Sequence, residues 1–342
     1  MSNNPPSLQD WKSLYHAALE FKNLECWNWM WDSDIFGVQN PETGKIGYCC
    51  VMGMLGEHYA LAVYLGTEGL EGYLRIQSGE EIPPWESLHV QKCLIASFGE
   101  REFLQKEDLT VIKKLGLKFR GRNLWPSFRS CLPGYFPWFL TSDEAQYLTA
   151  ALQQAVDVCS RLRDDTEMLV GPTEDHYLVR VFQKEKNEWV DEWLIPSPVE
   201  EPELVVVPVD EPRLEKIKKM VTKRQKTWEI DFFHSPEGVR EKDERPYFPY
   251  IILWIDHDSG FILNIHLAKQ TEYASDSVEQ FLNLLEKIKF VPERILVKKE
   301  ELFNLLGPIT SHLGINVKKV KELPALEDAQ VDMREYFMEQ KK

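Results

Sequence analysis

The chain reads as two domains of mixed secondary structure. The first is an α+β domain built on an antiparallel meander, and the second is an α/β domain with a mixed sheet covered by helices. Three observations predict this. Residues 228–233, 250–256 and 261–267 are strand-like apolar runs, the last two joined by a turn at Asp258-Ser259-Gly260. After them, strand-length and helix-length apolar patterns alternate, as in a sheet flanked by helices. Between residues 196 and 212 the composition turns to proline and acid, a semi-extended connector. At 342 residues the chain also exceeds what one hydrophobic core usually serves. The expected layout is residues 1–165 as the first domain, 166–212 as a hairpin and connector, and 213–342 as the second domain.

In chain order, Leu8, Trp11, Leu14, Tyr15, Ala18, Leu19 and Phe21 recur at helical spacing behind Ser7, a suitable N-cap. An aromatic knot follows, with Trp27, Trp29 and Trp31, which is a stacking platform or core material. Residues 35–39, 45–54 and 58–65 form the meander, separated by turn-tolerant sequences. Residues 66–77 read as a helix, 92–98 as a strand, and 106–115 as a helix stopped by Gly116. Residues 132–138, rich in Pro, Gly and aromatics, read as irregular packed chain. Thr141 and Glu144 have capping-box spacing ahead of the apolar stripe Ala145, Leu148, Leu152, Ala155, Cys159 and Leu162. Residues 177–182 and 189–195 form a hairpin that either domain could own.

In the second half, residues 213–226 read as a helix with seven basic residues against the single acid Glu215. Arg213, Lys216, Lys218, Lys219, Lys223 and Arg224 are its candidate binding residues, facing phosphate or an acidic protein surface. Leu214, Ile217, Met220 and Val221 also give it a stripe to pack, which makes the basic face a solvated one on the simpler reading. After the three strands come a helix opening near Asp276, a strand at 294–297, a helix at 302–313 interrupted by Gly307-Pro308, a strand at 315–320, and a helix at 325–340.

Composition narrows the function classes. Hydrophobic residues at 43% and charged residues at 28% are globular values. No apolar run reaches the roughly 18 residues of a membrane span. The first ten residues lack the basic start and apolar centre of a secretory signal, so a cytoplasmic, membrane-free protein is expected. The six cysteines form no C-x-x-C pair and read as buried thiols. The eight histidines show no metal-binding spacing. No cofactor and no metal are expected, and no phosphate-cradling glycine loop or nucleophile elbow is present. A net charge of −15 disfavours indiscriminate binding to nucleic acid or anionic lipid, leaving a protein as the expected partner.

The strand order from Trp228 onward, with Trp228-Glu229-Ile230-Asp231, Ile255 to Gly260, and Pro292 through Phe303, resembles the ribonuclease H-like core of retroviral-type integrases and DDE transposases. The resemblance places Asp231 where those enzymes carry their first catalytic acid. It places Lys298, Glu300 and Phe303 where a D-x-G-x-x-F pattern supplies the second. Two-metal chemistry needs clustered carboxylates, so a lysine there implies a degenerate, non-catalytic domain. The alternative is a metal-dependent nuclease that pairs Asp231 with Glu300 or Glu301. Arg245-Pro246-Tyr247-Phe248-Pro249 and Leu323-Pro324-Ala325-Leu326, with the aromatic first domain, are similar to a two-domain bacterial family with no assigned function.

Overall fold

The computed structural model describes residues 4–79, 89–199, 207–208, 210–220, 225–242 and 244–339. The chain divides into two compact units, Met1–Glu200 and Glu201–Lys342.

Among the described residues of the first unit, seven strands form one sheet: β1 (Phe36–Gln39), β2 (Ile46–Met52), β3 (Tyr59–Leu65), β4 (Cys93–Gly99), β5 (Trp125–Cys131), β6 (Tyr177–Gln183) and β7 (Glu188–Leu194). Their order is β5-β4-β3-β2-β1-β6-β7. Neighbours from β5 to β1 are antiparallel, as are β6 and β7, whereas β1 and β6 run parallel through Gly37↔Val179 and Val38↔Arg180. The hairpin therefore extends the first unit's sheet. Gly37 permits this junction, because a Cβ there would lie 2.7 Å from Val179 Cγ2.

Helix α1 (Leu8–Leu24) and helix α4 (Ser142–Asp164) cover one face; their apolar stripes share a core with Val38, Val51, Val63, Leu94 and Phe128. Helix α2 (Gly66–Gln77) covers the other, with Leu70 and Tyr73 against Tyr48, Cys50 and Tyr64. The short α3 (Lys106–Lys114) ends before β5. Both long helices start as the sequence predicts. Asp10 N–H donates to Ser7 Oγ at 3.1 Å and Ser7 N–H to Asp10 Oδ2 at 2.8 Å. Thr141 N–H donates to Glu144 Oε2 at 2.8 Å and Glu144 N–H to Thr141 Oγ1 at 3.3 Å.

Strand β5 is absent from the sequence reading. Pro126, Arg129 and two serines mask its alternation, and as an edge strand it tolerates the proline. Trp27 is buried among Phe21, Tyr59 and Phe98, and Trp29 donates its Nε1–H to Cys159 O at 3.1 Å; only Trp31 is exposed. The aromatic knot thus serves the core. All six cysteines are free and buried.

Among the described residues, the second unit holds five strands, β8 (Thr227–His234), β9 (Tyr250–Asp256), β10 (Ile262–Ala268), β11 (Arg294–Val297) and β12 (Asn316–Lys319), in the order β10-β9-β8-β11-β12. The first three pair antiparallel; β8 with β11 and β11 with β12 pair parallel. Helices α5 (Glu211–Met220), α6 (Tyr273–Ile288) and α7 (Glu300–Leu313) share the larger core with Trp228, Ile230, Phe232 and Trp254. Helix α8 (Pro324–Glu339) covers the other face through Leu326, against Leu253 and Ile255.

Two expectations are corrected here. The basic helix does not run to residue 226: α5 is described to Met220, and Lys226 adopts φ +77°, a left-handed geometry that no helix interior accommodates. Pro308 does not break α7, where the Thr310 hydroxyl bonds back to Leu306 O and Gly307 O beside the proline. Residues 200–206 of the connector and residues 221–224, which include Lys223 and Arg224, lie outside the described residues. Among the described residues, no helix is long and apolar enough to cross a membrane.

Candidate functional site

Strand alternation divides β8 between two environments. Trp228, Ile230 and Phe232 enter the larger core, while Glu229, Asp231 and Phe233 face the side covered by α8. A carboxylate on that side is buried, and burial makes its partner decisive.

Asp231 is 6% exposed. Its Oδ1 accepts the Phe232 N–H at 2.8 Å and lies 3.1 Å from Lys299 Nζ. Lys299 leaves the end of β11 and folds inward. Its ammonium also donates to Phe232 O and sits 3.9 Å from the centre of the Phe232 ring. Burial raises the Asp231 pKa above the usual carboxylate value; the positive charge of Lys299 opposes the rise without cancelling it. Lys298, which the resemblance set at the place of a second acid, is exposed and pairs with Glu327 on α8 at 2.9 Å. Glu300 is taken by Lys319 on β12, and Glu301 is exposed.

Glu229, two residues before Asp231, is fully buried. One oxygen lies 2.5 Å from His257 Nδ1; the other accepts the Leu326 N–H at 2.8 Å, in the first turn of α8. A carboxylate suits a helix N-terminus, where unpaired N–H groups and the helix dipole both favour negative charge. At the end of β9, Asp256 pairs with Lys226 at 2.8 Å and accepts the Ser259 hydroxyl at 2.6 Å. Burial works to raise its pKa, but Lys226 and Ser259 outweigh it and hold the group below the ordinary range.

The magnesium that an integrase-like site implies does not fit these residues. An ammonium already lies against Asp231. A divalent ion about 4 Å from it would be repelled by roughly 8 kcal/mol at an effective dielectric near 20. Among the described residues, no three His, Cys, Asp or Glu side chains are grouped to hold a metal. His266 is engaged with Asp276 on α6 at 3.0 Å.

Among the described residues, three of the basic side chains of α5 meet acids of their own unit. Arg213 pairs with Glu279 at 2.8 Å and Glu286 at 3.1 Å and donates to Asn283 at 2.7 Å, all on α6. Lys216 lies 3.9 Å from Glu286 and Lys218 3.8 Å from Glu215, while Lys219 is exposed. Sequence reasoning missed Glu229 and Lys299. The available signal was an acid set in an apolar strand and two consecutive lysines, one of which had to turn inward.

Residues 11–180 match the family model of a domain of unknown function, DUF7309, and residues 213–334 match that of another domain of unknown function, DUF6930. No curated protein matches the chain. The HTLV-2 integrase catalytic core domain in complex with magnesium is similar in its trimeric form at 16% identity, over 32% of this chain and 67% of that chain, with a TM-score of 0.25. Its dimeric form gives 16%, 31%, 65% and 0.24 for the same quantities. Likeness at these scores carries no argument about what the chain does.

Proposed function

We propose that the chain is a non-catalytic binding protein whose second unit is a ribonuclease H-like domain with a disabled metal site. The carrying observation is the Lys299 ammonium on Asp231, which occupies the position where a cation would be needed. Supporting it, three antiparallel strands are followed by two parallel ones in the order β10-β9-β8-β11-β12, the arrangement the resemblance implies. A fold of this kind can host binding once its chemistry is gone.

The partner we propose for this unit is a protein, because Arg213, Lys216 and Lys218 already face acids of the same unit. The six buried free cysteines favour a reducing, cytoplasmic setting. The competing reading is a nuclease that uses Asp231 with Glu300 or Glu301. Purified protein incubated with magnesium or manganese and labelled single-stranded, double-stranded and hybrid substrates should leave all of them intact. Metal-dependent cleavage abolished by Asp231→Asn would overturn the proposal.

A further inference from the structure

The first unit carries a second basic segment whose charges are unspent. Between residues 109 and 142 the sequence contains no Asp or Glu, although the whole chain carries a net charge of −15. Lys113, Lys114, Lys118, Arg120, Arg122 and Arg129 all fall in that run. Arg129 is committed to a two-pronged pair with Asp108, at 2.9 and 2.6 Å. The other five side chains are exposed, and among the described residues none of them holds an ion pair or hydrogen bond.

Local structure fixes how they are displayed. Gly116, at φ +69°, closes α3: its N–H bonds to Lys113 O, and the Leu117 N–H bonds to Ile112 O. Lys113 and Lys114 therefore sit at a helix C-terminus, where they offset the dipole and need no further role. Beyond the helix, Leu117 and Phe119 turn inward. Phe119 stacks against Tyr15 at 6.3 Å and meets Trp125 at 5.6 Å. Lys118 and Arg120 alternate with these anchors on the outside, and Arg122 follows in the turn that Gly121, at φ +121°, opens. Three exposed cations are thus carried close together in sequence on a segment pinned by Leu117 and Phe119.

Arg122 and Asn123 also line an open cleft of about 690 Å³ with Glu100, Arg101 and Glu102. Arg101 lies 5.9 Å from the Trp125 ring, and Phe103, in the same short turn, is 74% exposed. We propose that this strip and cleft bind single-stranded nucleic acid. Lys118, Arg120 and Arg122 meet successive phosphates, Phe103 provides a face on which a base stacks, and the cleft receives a base edge. Glu100 and Glu102 in the cleft accept from base amino groups, and Phe103 offers a face to a base ring, two contacts that an acidic side chain cannot make. A duplex keeps its bases stacked away from Phe103. The site is independent of the reading given for the second unit.

The test is fluorescence anisotropy on the full chain with a labelled 12-nucleotide single strand, as DNA and as RNA, and the matching duplex. Three phosphate contacts at about −0.7 each predict a log–log salt slope near −2, roughly a 20-fold loss of affinity between 50 and 200 mM salt. The triple reversal Lys118→Glu, Arg120→Glu, Arg122→Glu should weaken single-strand binding at least tenfold and flatten the slope. Phe103→Ala should weaken it several-fold with the slope unchanged, and both variants should melt with the parent because the side chains are exposed. Absence of single-strand binding at 50 mM salt overturns the proposal. So does undiminished affinity in the triple variant, duplex binding as tight as single-strand binding, or equal competition by a poly-glutamate peptide.

Discussion

A half-buried lysine set against a buried aspartate is stable only while both remain. Removing Lys299 leaves Asp231 desolvated and charged, or forces it to take a proton. A fully buried pair broken in this way costs about 3–5 kcal/mol. The Lys299 side chain is 33% exposed, so Lys299→Met should cost about 2 kcal/mol in urea denaturation. Adding Asp231→Asn should recover part of that loss; a change within 0.5 kcal/mol for Lys299→Met alone would show that the pair is slack. Asp10 makes the opposite pH argument. The Ser7 hydroxyl, then Gln146, hold its pKa down to about 2, with burial opposing. A group depressed in the folded state contributes stability above its unfolded pKa, near 3.9, and loses that contribution as pH falls through 2. Asp10→Asn should therefore flatten the acid limb of the stability curve between about pH 4 and 2, as read by thermal melts, and leave its shape above pH 5 unchanged. Ser7 is legible in sequence as a helix cap, but the Lys299–Asp231 pair is not. Lys298 and Lys299 are chemically identical neighbours, and only the direction in which the chain leaves β11 decides which of them reaches Asp231.

Elements show the same division between pattern and partner. The strands of the second unit are legible because their apolar runs are short and bounded by turns, and 250–256 and 294–297 coincide with β9 and β11 as predicted. Strand β5 is not legible, because its inward positions include Pro126 and Ser130. The turn between β9 and β10 contains Gly260 at φ +66°, with open space where a Cβ would stand. Strain there is one of backbone alone, roughly 1 kcal/mol or more. Gly260→Val should lower the melting temperature by about 3 °C or more, and an unchanged melt would contradict this geometry. Helix α8 carries a buried carboxylate at its start. Glu229→Ala strands the Leu326 N–H and His257 without their acceptor, at a cost of about 1–3 kcal/mol. Amide hydrogen exchange in the first turns of α8 should then accelerate ahead of β8 and β9; equal protection in mutant and parent would disprove the anchoring role.

At the scale of the whole chain, we propose that the two units fold independently, with the boundary in the Pro-rich acidic stretch between residues 196 and 212. Limited proteolysis should cut first in that stretch and release two resistant fragments. Their joint degradation without intermediates would contradict the proposal. The basic segments show why charge density is a poor guide to function when read along the chain. Residues 213–226 are the denser cluster, yet Glu279 and Glu286, far along the sequence on α6, pair with Arg213 and approach Lys216. Residues 113–122 are sparser, yet among the described residues none of their basic side chains holds an ion pair. Density is a property of sequence, whereas availability depends on what the fold brings opposite.

The parallel junction of β1 and β6 carries a consequence for the chain as it is made. Phe182 N–H donates to Gln39 Oε1 across 143 residues, so one side of β1 has no partner until nearly all of the first unit has been synthesised. At about 5–20 residues per second, that interval lasts roughly 7–29 s, during which a nascent edge of apolar strand stands open. Ribosome-bound chains halted near residue 170 should accordingly recruit chaperones that chains halted past residue 240 no longer hold.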